Sequence, residues 1–350
     1  MTTSRFRALA ALTVAAFAAA CGSSDGGPTF ASKADSATIA TLAEGAGQFA
    51  QTTLDGAFGS QSTTLEGFLQ FSKGPNKVTA TDRARAIVQH MVRATSFRGS
   101  PSFQAVNVPS FSSPFSTCTP TETGVDDLGD PIDSDGDGIP DNYTVNFGSA
   151  CVEEDSAGTQ RMTFSGSIHI QDSGLGFFSF SLGLSNLGLK FEDPTTGDFT
   201  KVGLNGTEAA QFAAALANHA THFTLALTAK SGSTTITESI SENETASFDP
   251  DDTFSLAIGA ALPAGGFDYS SDFKVVGENS GGDIPGNFHF VLATPTPLHF
   301  NPACISNIDG GVFRGLLNAD QNVGFTVTWS ACGVATTVIF GDTPATVAAR

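Results

Sequence analysis

From residue 143 onward, apolar and polar residues alternate in short runs along the chain. RMTFSGSIHI, HFTLALTAK, GFDYSSDFKVVG and VGFTVTWSA are examples, and Gly, Asp, Asn or Pro separates successive runs. Side chains of a strand point alternately to the two sides of a sheet, so a period of two indicates strands with one buried face. We therefore predict a mainly β domain over 143–350, with about ten antiparallel strands in a large sheet or sandwich.

Three other segments have the spacing of amphipathic helices. Residues 36–58 and 81–97 each repeat apolar positions at near-helical intervals, and GTEAAQFAAALANHA at 206–220 has a capping residue followed by an alanine-rich run. The first two predict a helical N-terminal segment, 36–100, that packs on the β domain. The third predicts one helix inserted into the β domain. Residues 101–142, between the helical segment and the β domain, are expected to form a Pro- and Ser-rich connection.

The first twenty residues are organised like an export signal. Arg5 and Arg7 precede an uncharged, mostly apolar run over 8–20, which is too short to cross a bilayer as a helix but has the length of a signal-peptide core. Small residues then lead directly into Cys21, which resembles the lipobox of bacterial lipoproteins with Ala18 in place of the usual Leu. The resemblance implies that residues 1–20 are removed and that Cys21 is diacylated. A plain secretory signal beside an uninvolved cysteine is the alternative.

The residues after Cys21 indicate where in the cell the lipidated protein is expected to be. Residues 21–35 are small and polar, which is typical of a flexible tether. Gly22, and not Asp, follows the cysteine; by resemblance to Gram-negative sorting, this favours the outer membrane. We therefore expect a bacterial cell-envelope protein that is attached to the membrane through an N-terminal lipid.

Four further cysteines fit an exported protein. An even number of cysteines in an oxidising compartment predicts two disulfides, although free buried thiols are the alternative. Three pairings are possible, and we favour the two that each close a local loop. No C-x-x-C motif is present, which argues against thiol redox catalysis and a zinc knuckle. The favoured disulfides are Cys118–Cys151 and Cys304–Cys332.

The stretch DSDGDGIPDN crowds four carboxylates together with two glycines. Calcium takes six to eight hard oxygen ligands on a chain that can bend around the ion. With the first Asp as position 1, acidic residues fall at positions 1, 3, 5 and 9, and a backbone carbonyl is offered at position 7. The spacing resembles a thrombospondin type 3 calcium repeat and the first part of an EF-hand loop. The resemblance implies a calcium site formed by Asp133, Asp135, Asp137, Ile139 and Asp141.

This loop departs from both patterns in one respect. Thr144 occupies position 12, where a carboxylate is expected, and a strand rather than a helix is predicted to follow. Asp126, Asp130 or water could supply the missing ligand. We expect a structural ion with a dissociation constant on the order of 10⁻⁴ to 10⁻³ M, as in extracellular modules. The alternative is a solvated acidic turn held by Asx hydrogen bonds.

Charge and motifs narrow the possible functions. The net charge of −19 argues against nucleic acid and anionic membrane surfaces as partners. The one G-x-S-x-G match, GSSDG at 22–26, lies in the predicted tether and not at the strand-to-helix turn that a nucleophile elbow needs, and the H-E-x-x-H and Walker motifs are absent from the chain. His219 with His222, and His169 with Asp172, are weak candidate pairs for metal or acid–base chemistry, since such residues more often cap a helix or meet solvent. An enzyme is therefore the less favoured class, and a hydrolase is only a third hypothesis.

Phenylalanine supplies the last clue, with 30 residues against 2 Tyr and 1 Trp. GFFSFSLGLSNLGLKF predicts a long strand pair that either packs in an ordinary core or lines a cavity for an acyl chain, as in periplasmic lipid carriers. We favour a non-enzymatic structural or binding module stabilised by calcium, with an unknown protein or glycan partner. The alternative is a carrier of a hydrophobic ligand such as lipid, in a cavity lined by Phe177, Phe178, Phe180, Leu182 and Phe191.

Overall fold

The computed structural model describes most of the chain from residue 79 onward, and its described residues are dominated by one antiparallel sheet of 15 strands. The strands are β1 Pro114–Ser116, β2 Thr121–Thr123, β3 Tyr143–Asn146, β4 Cys151–Asp155, β5 Arg161–Asp172, β6 Phe178–Glu192, β7 Phe199–Ala213, β8 Leu216–Ser231, β9 Thr234–Pro250, β10 Gly265–Asn279, β11 Phe288–Phe300, β12 Ile308–Leu317, β13 Gly324–Ala331, β14 Val334–Phe340 and β15 Ala348–Ala349. The described residues are 79–85, 87–88, 114–116, 118–136, 139–172, 178–213, 216–252, 262–279, 288–304, 307–317, 322–341 and 348–349.

From β5 to β15 the sheet is a simple meander, because each strand pairs with the next strand along the chain. At the other end, β3 and β4 share one edge of β5: β4 pairs with its first half and β3 with its second half. Strand β2 then pairs with β3, and β1 with β4. The segment predicted as a plain connection, 101–142, therefore contributes two short strands to the sheet.

A bulge in the pairing of β5 with β6 marks the point where β3 gives way to β4. Gly166 has a φ of +78°, and a Cβ atom built on it would lie 2.2 Å from the carbonyl oxygen of Asn186. Only glycine fits such a close approach of two backbones. Its amide donates to the carbonyl of Gly148 and its carbonyl accepts from the amide of Phe147, so the bulge also fixes the turn between β3 and β4.

The core lies on one face of this sheet, as the period of two predicts. On β9, Glu238, Ile240, Glu242, Glu244, Ala246 and Phe248 are buried, while the alternate Thr237, Ser239, Asn243 and Thr245 are exposed. The buried face of each long strand joins one hydrophobic cluster. Its members include Phe164, Ile168, Leu182, Leu189, Val202, Leu225, Phe248, Phe267, Phe313 and Phe325.

A short helix, α1, packs on the same face. Residues 80–85 and 87–88 are helical, and Ala84 and Val88 are fully buried in the same cluster as the sheet residues. The described part of the segment predicted as a helix at 81–97 is thus helical and belongs to the core cluster. The predicted helix at 36–58 lies outside the described residues, as do the export signal and tether.

The helix predicted at 206–220 is wrong. This segment forms the end of β7 and the start of β8, which pair with each other in register from Phe199–Lys230 to Ala213–Leu216. Alanine has the highest helix propensity, and its abundance in this segment is the reason why a helix was predicted. Pairing with β6 and β9 on either side overrides that preference. Likewise, the described part of the predicted strand pair in GFFSFSLGLSNLGLKF, from Phe178 onward, belongs to the single long strand β6.

The mainly β prediction is therefore confirmed, and the register of each strand can be tested by substitution. Ile240 is 1% exposed on β9, whereas Thr245 on the same strand is exposed. Ile240→Ala should lower the free energy of unfolding by about 2–5 kcal/mol, because it removes buried methylene groups and leaves a cavity. Thr245→Ala, the matched control, should change it by less than about 0.5 kcal/mol. Denaturant unfolding measures both, and equal effects would contradict the assigned face.

Candidate functional site

The connection before β3 is fastened to the sheet at several points. Cys118 and Cys151 lie at disulfide distance, with Cα atoms 4.5 Å apart, and so do Cys304 and Cys332, at 5.4 Å. Both predicted pairings are thus confirmed. The first bond ties the start of the connection to the first residue of β4, and the connection between them contains the acidic loop.

The acidic loop is pinned to its surroundings through backbone hydrogen bonds. The Asp141 amide donates to the carbonyl of Ile132 at 2.9 Å, and the Ile132 amide donates to Gly124 at 3.0 Å. Pro140 accepts a bond of 3.0 Å from the amide of Asp172, which closes β5. Ile139, at position 7, is fully buried in the core cluster. The loop therefore has an anchored base and a solvent-facing acidic rim.

Two of the predicted ligands organise the loop through hydrogen bonds. Asp141 accepts from the amide of Ser134 at 2.8 Å and from its hydroxyl at 2.5 Å, one bond on each carboxylate oxygen. Asp133 accepts from the amide of Gly136 at 2.7 Å, and Gly136 has a φ of +81°. The hydrogen bonds from Ser134 lower the pKa of Asp141, because they stabilise its charged form.

Three of the carboxylates predicted to bind calcium, those of Asp133, Asp135 and Asp141, lie within nine residues of chain. Carboxylate oxygens are the ligands that calcium prefers. Asp137, the ligand predicted at position 5, lies outside the described residues. Within the part of the chain that is described, no three His, Cys, Asp or Glu side chains are placed to hold a metal ion.

A buried polar contact links α1 to the same connection. Arg83 donates through Nη1 to the hydroxyl of Tyr143 at 2.5 Å, and that hydroxyl donates to Oε2 of Glu122, also at 2.5 Å. The Arg83 guanidinium lies 3.5 Å from the Glu122 carboxylate. Burial, followed by the bond to Glu122, raises the pKa of Tyr143 well above its ordinary value. Tyr143 is thus held as a neutral phenol between the two charged groups.

Arg85 makes a second buried contact one strand further along. It forms an ion pair with Glu153 of β4, whose residue exposure is 3%, and its Nε lies 3.3 Å from the sulfur of Met162. Its guanidinium also lies 5.5 Å from the centre of the Phe164 ring. A buried charge is tolerated only when paired, so this contact fixes α1 over β4 and β5. The partners of Arg83 and Arg85 lie 39 and 68 residues away along the chain, so no local spacing predicts these contacts.

Four glutamates on the buried face also went unnoticed. The glutamates of β9 lie an even number of residues from buried Ile240, so they are on the same face of the strand. This spacing is the sequence signal that would have predicted their burial. The Tyr269 hydroxyl donates to Oε2 of Glu244 at 2.9 Å. These residues add a polar stripe to an otherwise apolar wall of the sheet. They are Glu208, Glu238, Glu242 and Glu244, each 4–7% exposed.

The two histidine-containing pairs considered for metal or acid–base chemistry are not arranged for it in the structure. Nδ1 of His169 lies 2.9 Å from the hydroxyl of Thr144, and Asp172 accepts from Ser179 at 3.2 Å. His219 and His222 both belong to β8 and not to a helix. Residues three apart share one face of a helix but not of a strand, so the geometric basis for a metal pair is lost.

The described residues of the predicted Phe-lined cavity belong to the core. Phe180 and Leu182 are buried at 3% and 2% exposure, and Phe191 packs partly buried against the same cluster. Phe177 lies outside the described residues, as does the side chain of Phe178. The described part of this wall therefore packs as core.

Comparison with known proteins finds no similarity: no protein family, no curated protein and no solved structure matches the chain. Among the residues that the structure describes, no helix is long and apolar enough to span a membrane.

The lowered pKa of Asp141 gives a pH-dependent prediction. A carboxylate with a depressed folded pKa contributes stability above its unfolded pKa of about 3.9, and this contribution is lost as pH falls through the folded value. In chelator, Asp141→Asn should therefore lower the unfolding midpoint at pH 7, and its deficit relative to wild type should shrink below about pH 4. Thermal unfolding between pH 7 and pH 3 measures the deficit.

Exposed Asp127 in the preceding turn provides the matched control, since Asp127→Asn should have little effect at either pH. An Asp141→Asn deficit that is the same at both pH values would show that the loss is not electrostatic.

Proposed function

We propose that this chain is a lipid-anchored protein of the bacterial cell envelope, a non-enzymatic structural or binding module whose acidic loop binds a structural calcium ion. The observation that carries the proposal is the placement of the loop: its base is buried through Ile139, while Asp133, Asp135 and Asp141, within nine residues of chain, are exposed or partly exposed. Like charges so close together repel one another, and a bound divalent cation would offset that repulsion.

The position of the loop supports a fastening role. The same connection is held by the Cys118–Cys151 disulfide, by the Arg83–Glu122 contact and by the pairing of β2 with β3. An ion in the loop would add one more link between this connection and the end of β5. Asp133, Asp135, Asp137, Asp141 and the carbonyl of Ile139 are the groups proposed to hold it.

The core packing of Phe180 and Leu182 favours a module over a lipid carrier. Both side chains pack within the hydrophobic cluster that joins α1 to the sheet. The exposed face of β9, in contrast, carries a row of short polar side chains, including Ser239, Asn243 and Thr245. Such a face suits water or a polar partner, such as another protein or a glycan, better than an acyl chain.

Calcium binding gives a direct test. At pH 7, about 5 mM calcium should raise the free energy of unfolding of the wild-type protein by about 1–2 kcal/mol, given the affinity expected for such a loop. Asp135→Ala should abolish this increment and yet unfold like wild type in chelator. Asp127→Ala, which removes an equally acidic residue outside the predicted ligand set, should retain the increment. Denaturant unfolding with and without chelator measures all three.

An unfolding curve of the wild-type protein that is unmoved by chelator would refute the calcium proposal. Native mass spectrometry on the same samples separates the alternatives: loss of one calcium mass on chelation supports the module, whereas an additional lipid-sized mass would favour the carrier.

The lipid anchor is tested separately. In a bacterial host, wild-type chain should incorporate labelled fatty acid and sediment with outer-membrane vesicles. Cys21→Ser should lose both the label and the membrane association, because the acyl chains are proposed to be attached to that sulfur. Gly22→Asp, which keeps the cysteine, should retain the label but shift the protein toward the inner membrane. Labelling of the Cys21→Ser variant would show that the proposed attachment site is wrong.

A further inference from the structure

A hydrogen-bonded cluster on the exposed face joins three strands at one end of the sheet. Its centre is His299, the penultimate residue of β11. Its backbone neighbours on the two flanking strands are both glycines, Gly266 of β10 and Gly310 of β12. A Cβ atom on Gly310 would lie 3.4 Å from the Cβ atom of His299. The flanking positions therefore leave room for the imidazole ring to reach beyond its own strand.

Both ring nitrogens of His299 contact carboxylates. Nδ1 lies 2.5 Å from Oδ1 of Asp309 at the start of β12, and Nε2 lies 2.9 Å from Oδ2 of Asp251, which follows the end of β9. The contact with Asp251 crosses β10, the strand between β9 and β11. Asp309 is oriented by a further bond of 2.6 Å from the side-chain amide of Asn301.

This geometry specifies the protonation state of the ring. An ionised carboxylate can only accept hydrogen bonds, and a neutral imidazole carries a single N–H. Two simultaneous bonds to two carboxylates therefore require the imidazolium, with a proton on each nitrogen. A neutral ring can keep only one of them.

The surrounding charges favour the same state. On the exposed face of the adjoining strands, the charged residues nearest His299 are Asp249 at the end of β9, Asp268 of β10 and the two aspartates that bond to the ring, all of them acidic. The basic residues of that face, Lys274 of β10 and Arg314 of β12, lie four or more residues further along their strands. Bonds from Asp309 and then Asp251 raise the pKa of His299, and Asn301 and His299 lower that of Asp309.

We propose that His299 is a pH-operated clasp, which in its protonated form ties the end of β9 and the start of β12 to β11. Deprotonation breaks one of the two bonds and loosens this end of the sheet. The clasp adds to a covalent link at the same end, because the turn between β11 and β12 contains Cys304, which bonds to Cys332 beyond β13. The proposal is independent of calcium and of the lipid anchor.

The direction of the pH effect follows from linkage. A histidine whose pKa is raised by folding contributes stability that is complete below its unfolded pKa of about 6.5 and is lost as pH rises through the folded value. The sheet end is therefore tighter in mild acid than at alkaline pH. The His299 side chain is 38% exposed and that of Asp251 is 50% exposed, so solvent screening keeps the effect modest.

Proton NMR of the histidine rings in the whole protein tests the clasp without relying on a variant that must fold. The His299 resonance, identified by its absence in His299→Gln, should titrate with a midpoint above the ordinary value of about 6.5. In Asp251→Asn, which removes one carboxylate and keeps its shape, the midpoint should move downward. A midpoint at or below that ordinary value, or one that Asp251→Asn leaves unchanged, would overturn the proposal.

Thermal unfolding provides the second readout. Wild type should melt about 1–3 °C above His299→Gln at pH 5.5, and the gap should close at pH 8.5. His222→Gln, which alters an exposed histidine on β8, should show no such pH-dependent gap. A gap of equal size at both pH values would mean that His299 serves only packing, and that the clasp does not exist.

Discussion

Backbone pairing between successive long strands is the constraint on which the rest of this structure depends. Once β5 to β15 pair as a meander, alternate residues of these strands are directed to a common face. That face collects many phenylalanines and leucines of the described strands, together with α1, into one cluster. The opposite face is left to short polar side chains, which explains how a chain with only 15% charged residues keeps a polar surface.

Buried charge is the second organising element. Arg83 and Arg85 of α1 reach Glu122 and Glu153, which lie on either side of the acidic loop in the sequence. Because an unpaired charge in such an environment is strongly destabilising, each contact restricts where the helix can lie. The helix, the connection and the first strands of the sheet are consequently locked together through pairs that are distant in sequence, at separations of 39 residues for Arg83–Glu122 and 68 for Arg85–Glu153.

The chemistry-bearing residues are concentrated at one end of the strands. The acidic loop, the turn containing Cys304 and the His299 cluster all follow or precede strand ends there. Each links elements that the sheet alone leaves separate: a disulfide covalently, a histidine by hydrogen bonds, and an acidic loop through the ion we propose. Their shared role is to hold this end of the sheet together.

The sequence alone determined the mainly β architecture, the two disulfides and the helix at 81–97 as far as it is described. These features depend on local alternation, local loop closure and local helical spacing, all of which are visible in a single chain. Tertiary structure decided the features that depend on contacts between residues far apart in the sequence. The alanine-rich segment at 206–220 became two strands because β6 and β9 offered paired edges, against its own helical preference.

The same reason explains which site residues could be anticipated. Asp133, Asp135 and Asp141 could be proposed as ligands from the sequence because the ligands of a calcium loop lie close together along the chain. His299 was not, because Asp251 is 48 residues away and reaches it only when β9, β10 and β11 lie side by side. Glu122 and Glu153 likewise meet Arg83 and Arg85 only once α1 packs on the sheet. The spacing of residues along the chain was enough to predict the acidic loop and the fold class. The order of the strands in the sheet decided which charged side chains come into contact, because it brings together residues that are far apart in the sequence.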